Sequence, residues 1–215
     1  YADYAIWQRE WLSGERLEQQ LSYWKTQLSG CTTELNLFTD RPRQSVQTDN
    51  GAQYEFTLSP DVTQGLKKLG REQNATDFMT LLAAFNTLLY RYTGQDDVNI
   101  GSAVANRDRA EQQGLIGFFV NSLVLRSQMN DEMSFVELLS QVRTMTLDAQ
   151  THQHVPFEML VEELQPERSR SRAPFFQVMF DLNSSAEQTL HLPDLSIEPL
   201  ALDSGSAQFD LVLYM

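Results

Sequence analysis

The stretch from residue 76 to residue 105 constrains the fold of this chain more than any other. Thr76 has the position of a helix N-cap, and residues 77–92 predict a helix with apolar side chains on most of its sides. A helix that is hydrophobic nearly all round is buried in a protein core. Gly94 ends this helix, and Val98 to Ala105 predicts a short strand of small residues. A buried helix followed by a strand indicates a sheet with helices packed on it.

The rest of the chain adds elements of both kinds. Apolar spacing predicts helices within residues 1–28, with a break at Ser13-Gly14 where Ser13 caps the second helix. Further helices are predicted after Ser59-Pro60, after the capping box that Ser134 opens, and from Pro156. A polar turn is predicted at residues 106–109, a mobile loop at 183–194, and strands at 54–58, 119–128, 175–182, 195–202 and 209–215. The sequence therefore predicts an α/β fold, an α+β two-layer arrangement of a mixed β-sheet with helices packed on it.

Composition excludes several classes of function. The formal net charge is -13, which argues against nucleic acid as a partner because phosphate binding needs a basic surface. The single cysteine, Cys31, cannot form an internal disulfide, and no histidine near it in sequence favours catalysis. No apolar run reaches the length of a membrane span and no leader peptide is visible. We therefore expect a cytoplasmic protein without a membrane partner, and a first residue of Tyr1 rather than Met predicts a fragment.

Motifs of common enzyme classes are missing. The sequence has no G-x-S-x-G nucleophile elbow, no P-loop and no G-x-G-x-x-G fingerprint. His152, His154 and Glu158 offer nitrogen and oxygen ligands, but Pro156 lies between them and no further histidine or cysteine is close in sequence. Because such metal sites usually need three or four protein ligands, no metal site is predicted. These residues taken alone describe an α/β domain whose function they do not declare.

Five segments, taken in order, resemble the core motifs of one family. Tyr1 to Trp7 resembles the motif Y-x-D-Y-A-x-W, and Ile116 to Arg126 resembles I-G-x-F-V-N-T-x-x-x-R with serine at position 122. His152 to Glu158 resembles H-Q-D-x-P-F-E, with His154 where aspartate is common. Residues 168–175 resemble R-D-x-S-R-x-P-L with changes at 169, 173 and 175, and residues 101–107 also fit. This order resembles the condensation domains of nonribosomal peptide synthetases, although that family's histidine motif, H-H-x-x-x-D-G, is not in the chain.

The resemblance implies both a fold and a reaction. Members of that family have two lobes, each like a chloramphenicol acetyltransferase subunit, with the catalytic histidine on the first lobe facing a tunnel between them. The acceptor's amine attacks the donor's thioester and forms a peptide bond in antibiotic and secondary-metabolite synthesis. By this resemblance residues 1–30 are lead-in or inter-lobe helices, and residues 31–215 are a C-terminal lobe that is truncated at its end. Such a fragment is part of an amide-forming transferase and is expected to be inactive alone.

The resemblance also implies partners and site residues. The expected partners are the N-terminal lobe, donor and acceptor peptidyl carrier proteins, and an adjacent adenylation domain. No cofactor is expected to bind directly, because 4'-phosphopantetheine is attached to the carrier proteins. No catalytic residue is expected in the chain, and the expected floor of the substrate tunnel is Gly117, Phe118, Phe119 and Asn121. Residues expected to support the motifs structurally are Tyr4, Trp7, Arg126, His152, Pro156, Phe157, Glu158, Arg168 and Pro174.

Three points stay open at this level. Asn121 can hydrogen-bond either a substrate amide or a neighbouring loop. His152 is interpreted as a structural residue that supports the first turn of the helix after it. Arg168 and Arg172 can bind phosphate or form salt bridges within the lobe, and we expect salt bridges. The alternative function is a non-catalytic module of the same fold, which docks carrier proteins or a neighbouring domain through an exposed apolar patch that includes Trp7, Trp11 and Phe118.

Overall fold

A computed structural model describes residues 1–166, 169–183, 195 and 205–215 of the chain. Local sequence signals set the helix ends. Ser59, Thr76 and Ser134 each cap a helix by accepting a hydrogen bond from a backbone N–H three residues later. Gly94 adopts the left-handed conformation, with φ 68°, that ends the long apolar helix. The helices are α1 Ala2–Trp11, α2 Gly14–Gln27, α3 Pro60–Glu72, α4 Asp77–Thr93, α5 Ala110–Gln113, α6 Phe135–Thr151 and α7 Phe157–Leu164.

The described strands form one mixed sheet. Its strands are β1 Asp97–Val104, β2 Asn121–Gln128, β3 Val178–Asp181 and β4 Leu211–Tyr214, in the order β2-β1-β3-β4. β1 pairs antiparallel with β2, whereas β3 lies parallel to both β1 and β4. The predicted α/β class with a mixed sheet and packed helices is thereby confirmed.

The core lies between the sheet and helices α4 and α6. Leu82 of α4, Leu139 of α6, Ile100 of β1 and Phe180 of β3 are all fully buried there. The other face of β1 is covered by two irregular segments, residues 32–35 and 173–177. Successive residues of a strand point to opposite faces, and on this second face the side chain of Asn99 donates to the carbonyl oxygens of Thr32 and Phe175, both at 3.1 Å. Both faces of the central strand are therefore covered, which explains why its residues are buried almost throughout.

Two local predictions are wrong. Residues 54–58 form no strand, and Tyr54 and Phe56 are both exposed. The alternating pattern supplies strand propensity, but a strand also needs a hydrogen-bonding partner, and the only β-bridge near it in the described ranges joins Asn50 to Ser206. Ser13 sits at the N-cap of α2, yet its hydroxyl donates to the carbonyl of Glu10 instead of capping α2.

Other predictions need smaller corrections. The apolar helix α4 is not buried all round, because Leu88 and Tyr92 are more than half exposed. The strand predicted at 175–182 is shorter, because Phe175 has a φ of 66° that extended backbone cannot adopt. The polar turn at 106–109 leads into α5, which the sequence did not predict. The predictions for the 183–194 loop and the 195–202 strand, apart from residues 183 and 195, lie outside the described residues. No helix in the described ranges is long and apolar enough to cross a membrane.

Candidate functional site

Three of the four expected tunnel-floor residues, Gly117, Phe118 and Phe119, lie in a loop, residues 115–120, and the fourth, Asn121, begins β2. Ile116 and Phe118 are 98% and 76% exposed, whereas Phe119 is 3% exposed. The ring of Phe119 packs against Tyr4, with their centroids 4.6 Å apart, and lies beneath α1. Of the two adjacent phenylalanines, only Phe118 therefore presents its ring at the surface, and Phe119 anchors the loop from below.

Arg107 organises this loop, a role that its place in a polar turn of the sequence did not indicate. Its guanidinium lies 4.1 Å from the centre of the Phe119 ring, within the range of a cation–π contact. The same group donates to the carbonyl oxygens of Gln112, Leu115 and Gly117, the last two at 2.9 and 3.4 Å. One side chain thus fixes three carbonyls along the segment that exposes Ile116 and Phe118.

Asn121 joins the segment from Ile116 to Arg126 to the segment from His152 to Glu158. Its Nδ2 donates to the carbonyl oxygens of Gln153 and Val155, each at 2.8 Å. Its Oδ1 accepts a hydrogen bond at 3.0 Å from the backbone N–H of Phe157 at the start of α7. Both amide hydrogens are therefore used, and the side chain is 7% exposed in all. Of the two open alternatives, these contacts favour the neighbouring loop over a substrate amide.

His152 ends the helix before it and does not support the helix after it, which corrects the interpretation made from the sequence. It is the C-cap of α6, and its Nδ1 lies 2.7 Å from the carbonyl oxygen of Asp148. Its ring stacks on Tyr23, with centroids 4.1 Å apart and an angle of 10° between the planes. The indole N–H of Trp24 donates to the His152 carbonyl at 2.9 Å. The residue therefore ties α6 to α2, and burial raises the pKa of Tyr23 well above its ordinary value.

His154 occupies the position where the motif usually has aspartate. Its ring meets Trp11 edge-on at 4.7 Å, and its Nε2 lies 3.6 Å from a carboxylate oxygen of Asp108. Burial lowers the pKa of His154, against the opposing effect of Asp108 and with a smaller contribution from Arg109 in the same direction. The described residues contain no group of three or more histidine, cysteine, aspartate or glutamate side chains that could hold a metal ion.

A small cavity of about 270 Å³ lies between α1 and the 106–112 segment. Trp7 and Trp11 line one side, but Arg109 lies 3.9 Å from the centre of the Trp7 ring and Arg16 lies 4.5 Å from that of Trp11. Tyr4 lies at the same place and is buried, which raises the pKa of its hydroxyl. Arg109 lines the cavity and lies against the Trp7 ring, so a charged side chain already covers part of its aromatic wall.

Arg126 of β2 and Asp97 of β1 form a largely buried ion pair. The guanidinium bonds both carboxylate oxygens, at 2.8 and 2.9 Å, and the side chains are 11% and 12% exposed. It also donates to the carbonyl oxygens of Gln27 and Ser29 at the end of α2, both at 2.9 Å. Hydrogen bonding to Asp97 raises the pKa of Arg126 further. The final arginine of the segment from Ile116 to Arg126 thus fastens the end of α2 to the sheet.

The remaining motif residues have framework positions. Pro156 is the N-cap of α7, and the ring of Phe157 packs against Phe175 and Phe176. Glu158 is exposed in the first turn of α7. Pro174 precedes Phe175, and Arg172 forms an ion pair with Glu34, which agrees with the salt-bridge expectation for that residue. Arg168 lies outside the described residues.

The chain is similar to short stretches of several known synthetases. A family model described as Condensation domain matches residues 1–215. Malpinin synthetase of Mortierella alpina is 45% identical over 213 residues, which cover 99% of this chain and 3% of that synthetase. Chondramide synthase of Chondromyces crocatus is 42% identical over 213 residues, with 99% of this chain and 5% of the synthase covered. The chain therefore spans only a small part of the length of these curated relatives.

Solved structures share the fold. The X-domain from teicoplanin biosynthesis has a TM-score of 0.86 and 28% identity, over 98% of this chain and 48% of that chain. The X-domain has also been solved in a complex with OxyB, where the TM-score is 0.83 at 28% identity, over 98% of this chain and 47% of that one. The four-domain nonribosomal peptide synthetase AB3403, solved with AMP and glycine bound, has a TM-score of 0.83 over 94% of this chain and 16% of the synthetase chain. The identity is 22%, so this likeness concerns the fold alone.

Proposed function

The chain belongs to the condensation domain family of nonribosomal peptide synthetases, and from that premise we propose that it acts as the C-terminal lobe of such a domain. The observation that carries this proposal is the order of motifs in a chain that matches along its whole length. The chain aligns over 98% of its residues with a solved X-domain but covers 48% of that protein. Its own sequence contains no H-H-x-x-x-D-G motif. On this proposal residues 1–30 lead into a lobe formed by residues 31–215, and the catalytic histidine lies on a preceding lobe.

The proposed reaction is peptide bond formation between two thioesters on carrier proteins. The amine nitrogen of the acceptor attacks the carbonyl carbon of the donor thioester, so that a C–N bond forms and the C–S bond breaks. The donor's phosphopantetheine leaves as a thiol with a proton that the amine gives up. The expected partners are the N-terminal lobe, the two carrier proteins that bear phosphopantetheine, and an adjacent adenylation domain. The motif residues of this chain hold the site's shape and provide no catalytic base.

The lobe contributes to this reaction by position. Holding two thioesters in reach of each other makes the attack effectively intramolecular, which accounts for a large part of many enzymatic rate enhancements. Phe118 and Ile116 present apolar surface, and apolar walls keep out the water that would hydrolyse the donor thioester. Asn121 and Arg107 support this surface from behind through their hydrogen bonds to the backbone. We assign the floor of the tunnel to Gly117, Phe118, Phe119 and Asn121 on this basis, with Phe118 as the side chain that faces the substrates.

Reconstitution tests the proposal. The chain alone should give no peptide product from loaded donor and acceptor carrier proteins, measured by mass spectrometry of the carrier-bound products. Addition of the preceding lobe with its histidine motif, in one polypeptide or in two, should produce the dipeptidyl thioester. Replacement of the first lobe's catalytic histidine by alanine is the control that should remove the product again. Condensation by the chain alone would contradict the proposal.

A second candidate function is a docking module without catalysis. It is favoured by the X-domain, a 28% identical structural relative that was solved in complex with OxyB. On this alternative, Trp7, Trp11 and Phe118 would belong to a partner surface. Calorimetric titration of a phosphopantetheine-loaded carrier protein onto the chain discriminates the two. Binding in the absence of the first lobe, with no condensation after that lobe is added, would favour the docking module.

A further inference from the structure

The first residue of the chain contacts the exposed loop at residues 115–120. The hydroxyl of Tyr1 donates a hydrogen bond at 2.9 Å to the carbonyl oxygen of Phe118. The Tyr1 ring also meets the ring of Phe119 edge-on, with centroids 5.3 Å apart. The residue that leads into α1 is therefore bonded to the residue whose ring is most exposed among the aromatic side chains of the loop.

Gly117 is the position that allows this contact. A Cβ atom at Gly117 would lie 2.3 Å from Cδ2 and 2.9 Å from Cε2 of the Tyr1 ring, and 3.1 Å from Cε2 of Phe119. The first two distances are closer than side chains tolerate, so any larger residue at 117 must displace the Tyr1 ring. Glycine is needed here because it has no side chain and so lets the Tyr1 ring approach the backbone closely.

The loop is held from two sides by different elements. Arg107 bonds the carbonyls of Leu115 and Gly117 from within the lobe, and Tyr1 bonds the carbonyl of Phe118 from the lead-in segment. Arg107, which donates these bonds, belongs to the segment that precedes the loop. In the described part of the chain, the Tyr1 bond is the one hydrogen bond that joins a backbone group of the loop to the start of α1, so it provides a direct link between that helix and Phe118.

We propose that Tyr1 is a positioning residue, which sets the direction in which Phe118 is presented and couples α1 to the loop. The meaning of this coupling for catalysis rests on the proposed function, since α1 then lies between the two lobes and Phe118 lines the substrate tunnel. The coupling itself is a property of this chain. Tyr1 touches no reacting atom and acts through Phe118 and Gly117.

Amide hydrogen exchange in the 215-residue chain tests the coupling without any assay of activity. Tyr1→Phe keeps the ring and removes the hydrogen bond. Exchange should become roughly fivefold faster at the two ends of the loop, at the Leu115 amide that bonds the Gln112 carbonyl and at the first amides of β2, the effect of one neutral hydrogen bond. Gly117→Ala should give an equal or larger increase, because it displaces the Tyr1 ring. Gly114→Ala is the matched control, since a Cβ there meets nothing within 4 Å, and it should leave exchange unchanged.

A double variant identifies the clash with Tyr1 as the cause. In a Tyr1→Ala background the ring is gone, so Gly117→Ala should add little further exchange, and the two substitutions should be strongly non-additive. Full additivity, or unchanged exchange in Tyr1→Phe, would overturn the proposal. Because Tyr1→Phe keeps all of its packing atoms, its outcome remains decisive even if an alanine variant fails to fold.

The effect on the reaction is measured in the complete condensation domain. Tyr1→Phe should lower kcat for peptide transfer about fivefold, the equivalent of one neutral hydrogen bond. KM for the acceptor carrier protein should stay as in the wild type, and the thermal midpoint should fall by no more than about 4 °C. A residue that is merely structural would lower the thermal midpoint but leave kcat unchanged at temperatures well below that midpoint. If Tyr1→Phe speeds loop exchange but the wild-type domain does not condense, the coupling stands and the proposed function fails. If the domain condenses and Tyr1→Phe changes neither exchange nor kcat, the coupling fails and the proposed function stands.

Discussion

At the scale of single residues, Asn121 carries more of the structure than its size indicates. Asn121→Ala would leave the buried carbonyl of Val155, and the partly buried carbonyl of Gln153 and N–H of Phe157, without this partner. Unpaired buried polar groups cost about 1–3 kcal/mol each before relaxation and water entry, so we expect a loss of about 2–4 kcal/mol in the free energy of unfolding. Urea titration followed by circular dichroism measures it.

The neighbour Ser122 provides the control for this prediction. Its side chain is partly exposed and has no hydrogen bond within the described part of the chain. Ser122→Ala should therefore change the free energy of unfolding by less than about 0.5 kcal/mol, as surface substitutions usually do. Equal effects of the two substitutions would mean that Asn121 acts through strand propensity and not through its contacts with residues 153–157.

His154 makes the stability of the chain depend on pH. Burial favours its neutral form, so its pKa in the fold is below the ordinary value of 6.5 that applies to the unfolded chain. As pH falls through that value the unfolded state takes up the proton first, and the free energy of unfolding decreases toward the lower folded pKa. Asp108, which opposes this shift, and Arg109, which reinforces it, face the same imidazole.

A variant isolates this contribution. His154→Gln should remove a part of the decrease in unfolding free energy between about pH 7.5 and pH 5.5, the range around an ordinary histidine pKa. The difference between wild type and variant, measured by thermal melts across that range, cancels the titration of carboxylates that both share. A difference that does not vary with pH would show that the imidazole titrates alike in the folded and unfolded chain.

At the scale of elements, the ion pair between Arg126 and Asp97 attaches α2 to the sheet. Arg126→Gln would leave the carboxylate buried and remove the donor from two carbonyls at the end of α2. Breaking a buried pair by removing one partner costs about 3–5 kcal/mol. The ion pair between Lys25 and Glu163 links α2 to α7, but both side chains are more than 40% exposed. Lys25→Gln should therefore lower the free energy of unfolding by only about 0–1 kcal/mol. Urea titration measures the free energy of unfolding of both variants. Similar losses in the two variants would contradict this ranking.

The elements also show how far sequence reasoning reaches. Helices capped by Ser59, Thr76 and Ser134 were predicted at the correct residues, because a cap and its helix are local in sequence. The prediction of a strand at 54–58 is wrong, because strand pairing depends on a distant partner that no local pattern reveals. For the same reason the role of Asn121 stayed undecided, since its partners lie 32–36 residues further along the chain. The role of Arg107 could not be predicted from the sequence, because its contacts with the Phe119 ring and with three carbonyl oxygens form only in the folded loop.

At the scale of the whole molecule, the loop that the proposed function assigns to the tunnel exposes three apolar side chains close together in sequence. Ile116 is almost fully exposed and Phe118 is about three-quarters exposed, with Val120 about half exposed beside them. Contiguous exposed apolar side chains usually mark a surface that another protein covers. The net charge of -13 opposes contact between copies of the chain. Raising the ionic strength should therefore strengthen any association that the apolar loop drives.

The isolated chain should self-associate through this loop when salt screens its charge. The double variant Ile116→Ser with Phe118→Ser should raise the dissociation constant by about tenfold or more, because burying one large apolar side chain contributes about 1.5–3 kcal/mol. Its thermal midpoint should not fall, since both side chains are exposed before association. Leu88→Ser with Tyr92→Ser on α4 is the matched control, because those side chains are 53% and 59% exposed on a different element. Sedimentation equilibrium at low and high salt measures both variants, and an equal weakening by the control would show that association is not specific to the loop.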